Sequence, residues 1–354
     1  MAVGVGPGEA PGFRIVPLDE VSLEEVLALL RSALGEGPLG RGEEAFRWKH
    51  RAGPFGPSPG LAAVAGDGTL VGVRLFQRWR LAAGGAELAA VRAVDTATHP
   101  EWRRRRVFRS LTLDLAERLR AEGAALIFNT PNPHSRAGYL AMGWRSLGRV
   151  PLLVRPLRPG RLAATMLGGD RNGAAAAEPP RAPAETAPVA ELLTQPEAER
   201  FLDGLWAGEP RLHTPRTAAY LRWRYGEPPA DALPYGARWR FEGATGAVVI
   251  ARERVRRGLT GIVLSEVLVR GGERGERAAA ELVGKIAVRS GADYLVALAA
   301  RGTPERRALR AAGLLPVGRR GPHLIVRELA PPPTPVAPAS WRGWRLAAGD
   351  LELF

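Results

Sequence analysis

The chain contains no cysteine, which excludes disulfides and cysteine-ligated metal sites. Lysine is nearly absent as well: of 50 basic residues, only Lys49 and Lys285 are not arginine. No apolar run reaches the length of a membrane span, so no membrane partner is expected. The opening MAVGVGPGEAPG lacks the charged stretch and apolar core of a signal peptide, and a cytoplasmic protein is the simplest reading. The five histidines, His50, His99, His134, His213 and His323, are scattered without His-x-x-x-His spacing or a paired acidic residue. No metal site is expected, and each histidine reads as a surface or capping residue.

What is present describes a globular protein long enough for two cores, with 354 residues of which 45% are hydrophobic. The formal net charge of +14 is carried by arginine alongside abundant Ala, Gly and Pro. This reads as compositional background bearing on solubility rather than as a nucleic-acid footprint. The aromatics nearest the most basic stretch, Trp102 and Phe108, do not make the stacking array of a single-strand binder.

Periodicity gives the elements. Ser22-x-x-Glu25 forms a capping box ahead of a helix with Val26, Leu27, Leu29, Leu30 and Leu34 on its apolar face, stopped by Gly35. A second helical piece covers Glu43–His50. Gly66-Asp67-Gly68 joins two strands as a hairpin, and a long strand follows over Leu88–Thr98. Val107–Glu122 is a helix with Leu111, Leu115 and Leu119 at a spacing of four, closed by Gly123. A short strand at Ala125–Phe128, a helix at Ser135–Met142 stopped by Gly143, and one or two strands over Trp144–Leu157 complete the first half.

The second half repeats the first. Phe46-Arg47-Trp48-Lys49-His50 matches Leu221-Arg222-Trp223-Arg224-Tyr225, and each is followed by a hairpin, a long strand, a helix, a strand, a helix and a glycine. The interval from Trp48 to Gly143 nearly equals that from Trp223 to Gly313. The organisation expected is therefore a first unit over residues 1–157, a Gly/Ala/Pro-rich linker over 158–190, a second unit over 191–330, and a Pro-rich segment with a tail over 331–354.

Two motifs carry chemistry. The first is His99-Pro100-Glu101-Trp102-Arg103 running through Arg104, Arg105 and Arg106 into Val107-Phe108-Arg109. A helix N-terminus after a strand offers free N–H groups and a positive dipole end to phosphate. The second is Asn132-x-x-Ser135-x-x-x-Tyr139-x-x-x-Gly143-Trp144. With the strands before them, these stretches resemble the GNAT superfamily of acyl-CoA-dependent N-acyltransferases, tandem two-domain type. The resemblance implies an α+β (α/β) fold of two GNAT-like units, each a mixed, mostly antiparallel sheet flanked by helices. It also implies acetyl-CoA as co-substrate and a small-molecule amine or amino-sugar acceptor.

The resemblance assigns roles residue by residue. Arg103, Arg104, Arg105, Arg106, Val107 and Phe108 stand where the pyrophosphate loop would be, Thr96, Ala97 and Thr98 where the pantetheine arm would be held, and Asn132 beside the CoA arm. The pattern departs from the family where Arg106 and Phe108 replace the loop's two defining glycines and Arg104 replaces a frequent one. Glycine there lets the backbone approach phosphate, whereas arginine permits the turn if φ stays negative and adds charge-assisted contacts. A solvated basic turn is the alternative.

Tyr139 is the expected acid for the leaving thiolate, or else a core aromatic. Asp95 is the expected base, sharing a strand face with Ala97 while Thr96 and Thr98 take the other. It could equally be a hydrogen-bonding partner at the splayed end of the sheet, with Glu101, His134 or water as the base. In the second half Leu309 stands where Tyr139 would be, so that unit reads as non-catalytic. The competing reading is a catalytically inactive GNAT-fold binding protein.

Overall fold

The computed structural model describes residues 12–35, 42–167, 182–229, 234–243, 245–318, 321–330 and 340–351. They form two seven-stranded sheets built to one plan. The first sheet takes β1 (Phe13–Pro17), β2 (Gly60–Ala65), β3 (Leu70–Ala83), β4 (Ala86–Thr98), β5 (Leu126–Asn129) and β6 (Arg145–Arg149). The second takes β8 (Ala187–Pro188), β9 (Gly236–Glu242), β10 (Thr245–Arg256), β11 (Leu259–Arg270), β12 (Tyr294–Ala297) and β13 (Leu315–Val317).

The remaining strands are exchanged. β7 (Leu152–Pro156), from the first half, pairs between β12 and β13, and β14 (His323–Glu328), from the second half, pairs between β5 and β6. Each sheet is an antiparallel meander, then one parallel joint (β4 to β5, β11 to β12), then the strand contributed by the other half. The sequence repeat is thus a repeat of topology, although periodicity carried no sign of the exchange.

The helices follow their sequence signals. Ser22 caps α1 (Leu23–Leu34) by accepting from the Glu25 amide, and α1 ends at Gly35 with φ 71°. α2 is Glu43–His50, and α3 is Val107–Ala121, whose Leu111, Leu115 and Leu119 are buried. α4 is Pro133–Ala141. Of the stretch expected as a linker, Pro159–Met166 forms α5 and Ala187–Pro188 is β8, while 168–181 lies outside the described residues. α6 (Val189–Leu193), α7 (Pro196–Leu202) and α8 (Ala218–Leu221) lead into a π-helical turn at Arg222–Gly226. α9 (Gly272–Arg289) and α10 (Pro304–Ala311) cover the second sheet.

Three layers of packing fix the site. On one face of the first sheet, Val107, Leu111, Leu115 and Leu119 of α3 pack with Val71, Phe76, Val91 and Ile127. Gly72 allows this approach, since a Cβ there would lie 2.4 Å from Val107 Cγ1. On the other face α1 and α2 pack on Val73, Leu75 and Ala97. Further along that face, Trp79, Leu88, Ala90 and Phe128 join Val248, Ile250, Val263 and Leu268 of the second sheet in a core common to both units. The tail residues Trp344, Leu346 and Leu351 are buried in that core. Among the described residues no helix is long and apolar enough to cross a membrane.

Candidate active site

β4 and β5 pair only at Ala90–Arg92 against Leu126–Phe128. Beyond Arg92 the strands part, although β4 continues to Thr98. The β5-facing edge of β4 is therefore open at its end, with backbone groups that a ligand can pair. The ladder to β3 shifts at the same place: Arg74 pairs with Thr96 and Leu75 with Val94, leaving Asp95 as the extra residue of a bulge, with φ 22°.

The bulge reverses side-chain parity. Before it, Leu88 and Ala90 face the common core and Val91 and Ala93 face α3. After it, Asp95 reaches α2 and Ala97 packs with α1. Asp95 thereby leaves the α3 face and finds His50, whose Nε2 lies 2.8 Å from Asp95 Oδ2, while Lys49 Nζ lies 3.1 Å from the same oxygen. Nδ1 of His50 is 3.0 Å from Ser58 Oγ. Burial alone pushes the Asp95 carboxyl up, but the Lys49 ammonium and the His50 ring outweigh it and hold the group well below the ordinary carboxylate range. A carboxylate so stabilised anchors a cation better than it takes a proton.

His50 and His213 are buried, which corrects their reading as surface or capping residues. Nothing in the local pattern marks His50. Its position follows only from α2 packing against the bulge, some 45 residues away along the chain.

Tyr139 sits on α4 across the α3 face. Asn132 caps that helix, its Oδ1 accepting from the Ser135 amide at 2.8 Å, so its carbonyl end is occupied by the fold. The Tyr139 ring is buried, edge-on to Phe108 at 5.4 Å and tilted against Trp144 at 5.2 Å. Arg74 lies fully buried beside it, its guanidinium 5.5 Å from the Tyr139 ring, 5.9 Å from Phe108 and 4.2 Å from Phe76. Thr96, the ladder partner of Arg74, donates its hydroxyl to Val73 O at 3.3 Å.

The arginine turn lies at the start of α3. Arg103, Arg104, Arg105 and Arg106 are exposed, and none makes an ion pair with a described residue. Arg105 stacks over Trp102 at 4.9 Å. The condition of negative φ is not met here, since Arg104 has φ 65° and Arg106 has φ 63°. The turn keeps the left-handed backbone that glycine would adopt without cost, and L side chains there cost about 1–2 kcal/mol per residue. The first helical bond runs from Ser110 N–H to Arg106 O at 2.9 Å. The amides of Val107, Phe108 and Arg109 have no acceptor among the described residues. Phe108, the other replaced glycine, turns its ring onto Gly138 and Tyr139 rather than over the turn.

The second unit preserves part of this layout. β11 bulges as well, with Ser265 as the extra residue between Leu264 and Glu266, and it is Glu266, the ladder partner of Ile250, that meets the repeat counterpart of His50. Tyr225, the repeat counterpart of His50, donates its hydroxyl to Glu266 Oε1 at 2.6 Å. Arg216 bridges Glu266 and Asp350 at 2.9 and 2.7 Å, all fully buried. Leu309 is fully buried in the second unit's own core. Sequence reading missed the acid at 266 because the bulge that turns it inward has no sequence signature. Among the described residues no cluster of His, Asp or Glu is placed to hold a metal.

Residues 14–147 match a family model described as an acetyltransferase (GNAT) domain. No curated protein matches the chain. Among solved structures, a GCN5-related N-acetyltransferase from Anabaena variabilis superposes with a TM-score of 0.61 at 11% identity, over 90% of this chain and 73% of that one. A conserved protein of unknown function from Enterococcus faecalis, described as a probable N-acyltransferase, gives 0.57 at 14% identity, over 90% and 73%. N-myristoyltransferase of Saccharomyces cerevisiae, with bound myristoyl-CoA, gives 0.53 at 14% identity, over 90% and 83%. At these identities the likeness is one of fold.

Proposed function

We propose, from the match of residues 14–147 to a GNAT acetyltransferase domain, that the chain is an N-acyltransferase. It moves an acetyl group from acetyl-CoA to a primary amine of a small molecule, amino sugar or peptide by direct transfer. The observation that carries this reading is the buried Tyr139 on the α3 face, beside the opening between β4 and β5, with a buried guanidinium next to it.

Residues over 1–157 bind and react, and the second unit, with Leu309 in place of a tyrosine, shapes the acceptor side. The amides of Val107, Phe108 and Arg109 and the charges of Arg103–Arg106, without partners among the described residues, suit a pyrophosphate. The free edge of β4 at Thr96, Ala97 and Thr98 suits the amide-bearing pantetheine arm. Asn132, the cap residue of α4, is left its side-chain amide N–H groups for the CoA arm. Acetyl-CoA supplies the acyl group already activated as a thioester.

The chain's own residues do the rest. Tyr139 gives its phenolic proton to the departing sulfur. Asp95, held ionised by Lys49 and His50, attracts the incoming ammonium, and water takes the proton the amine must lose.

The test is thermal denaturation with and without saturating acetyl-CoA, followed by a CoA-release screen over amines, amino sugars, aminoglycosides and peptides. Stabilisation of about 2.7 kcal/mol is expected at a hundredfold excess over Kd. An unchanged melting temperature defeats the reading. A catalytically inactive binding protein is the second reading, favoured by the three replaced glycines, and acetyl-CoA stabilisation without turnover would select it.

A further inference from the structure

Arg74 is a costly residue for a fold to keep. Its side chain is fully buried on β3, directly across from the Asp95 bulge. Nη1 makes one long bond, donating to Val94 O at 3.4 Å, while Nε and Nη2 have no hydrogen-bond partner among the described residues. An isolated buried charge with open donors is destabilising unless something else compensates it. Three rings surround it, Phe76, Phe108 and Tyr139, and ring quadrupoles offset only part of that cost. Burial pushes the guanidinium down, and the nearby Tyr139 hydroxyl and Asp95 carboxylate favour its charged form.

We propose that Arg74 is a positioning residue for acyl transfer: it holds its open donors toward the Tyr139 oxygen and supports the negative charge that appears there when the phenol gives up its proton. This inference rests on the acyltransferase reading. In the step concerned, the amine nitrogen bonds to the acyl carbon and the carbon–sulfur bond breaks with its electron pair on sulfur. The sulfur takes the proton of Tyr139, and the surplus proton of the nitrogen passes to water, from which the tyrosine is reprotonated. Arg74 touches neither sulfur nor amine in this scheme. It lowers the energy of the moment at which Tyr139 is anionic, as fixed dipoles and charges do in a water-poor site.

The experiment compares wild type, Arg74→Met, Arg74→Lys, Tyr139→Phe and the Arg74→Met/Tyr139→Phe double variant, using an amine found active in the CoA-release screen. Arg74→Met is expected to lower kcat by about 10- to 100-fold while KM for acetyl-CoA changes less than about threefold. Its Tm is expected to stay level or rise, because a buried charge with unpaired donors is removed. In the Tyr139→Phe background the same change is expected to cost almost nothing further in kcat. Arg74→Lys is expected to recover most of the kcat, since it restores the charge.

Wild-type kcat in Arg74→Met, or equal losses in both backgrounds, overturns the inference and leaves the acyltransferase reading standing. A Tm fall that accounts for the lost activity, unrelieved by Arg74→Lys, assigns Arg74 to structure and overturns it too. Absence of turnover with every amine overturns the acyltransferase reading and this inference with it.

Discussion

Trp48 and Trp223 stack with ring centroids 5.6 Å apart, and each donates its indole N–H to the other's main-chain carbonyl, at 2.8 and 2.9 Å. The two residues stand at equivalent places in the repeat, so the contact is a local two-fold relation between the halves of one chain. Replacing either by phenylalanine keeps an aromatic ring but leaves a buried carbonyl without its donor. Trp48→Phe and Trp223→Phe should each cost about 1–3 kcal/mol. Urea denaturation followed by far- and near-ultraviolet circular dichroism checks this. A loss under about 0.5 kcal/mol for both would mean the pair is not a significant tie.

Tyr139→Phe preserves the ring contacts with Phe108 and Trp144 and removes only the hydroxyl. kcat should fall by about a hundredfold or more, with the Kd for acetyl-CoA within about threefold of wild type. Steady-state kinetics and isothermal titration separate the two, and an unaltered kcat would return Tyr139 to the role of core aromatic.

At Arg106, where φ is 63°, glycine and alanine should rank in the opposite order from a helix interior. Arg106→Gly should be more stable than Arg106→Ala by about 1 kcal/mol, because only glycine enters the left-handed region without a Cβ penalty. Both remove the same charge, so any loss of CoA affinity common to the two variants reports the guanidinium. The reverse stability order would contradict the left-handed turn.

Glu266 gives a pH dependence with a definite sign. Burial pushes its carboxyl from the ordinary 4.5 up to about 7, only partly opposed by Arg216, and the second carboxylate on that arginine, Asp350, pushes it further up. The native state therefore binds this proton more tightly than the unfolded chain. Its stabilising effect is complete below the unfolded value, declines as pH rises, and is gone above about 7. Glu266→Gln should flatten the fall in stability over that window. Denaturant midpoints at pH 5 and pH 8 for both proteins suffice, and parallel curves would contradict the assignment.

Sequence reading reached furthest where the signal is local. The capping at Ser22, the leucine stripe of α3 and the Trp48/Trp223 repeat all lie within a few turns of the residues that reveal them. Tyr139 stood out as a candidate because its spacing to Asn132 and Gly143 is set by one helix. His50, Arg74 and Glu266 did not, because each acquires its partner through a strand bulge that inverts which side chains point inward. A bulge is a one-residue event in a ladder, and alternation read along β4 or β11 runs smoothly past it. The backbone at Arg104 and Arg106 was not legible for a different reason: the residue type alone does not reveal a left-handed φ, which the tertiary frame imposes.

The exchange of β7 and β14 bears on how the molecule comes to exist. The first sheet lacks its sixth strand until residue 328 has been synthesised, and until then β5 and β6 have no ladder between them. The early half of the nascent chain must wait, partly assembled, with an open edge of the kind that invites pairing with other chains. Neither half can be excised as a working piece, since each would carry one strand too many and one too few. The two halves of the repeat complete one another's sheets, so the last strand made closes the first sheet begun.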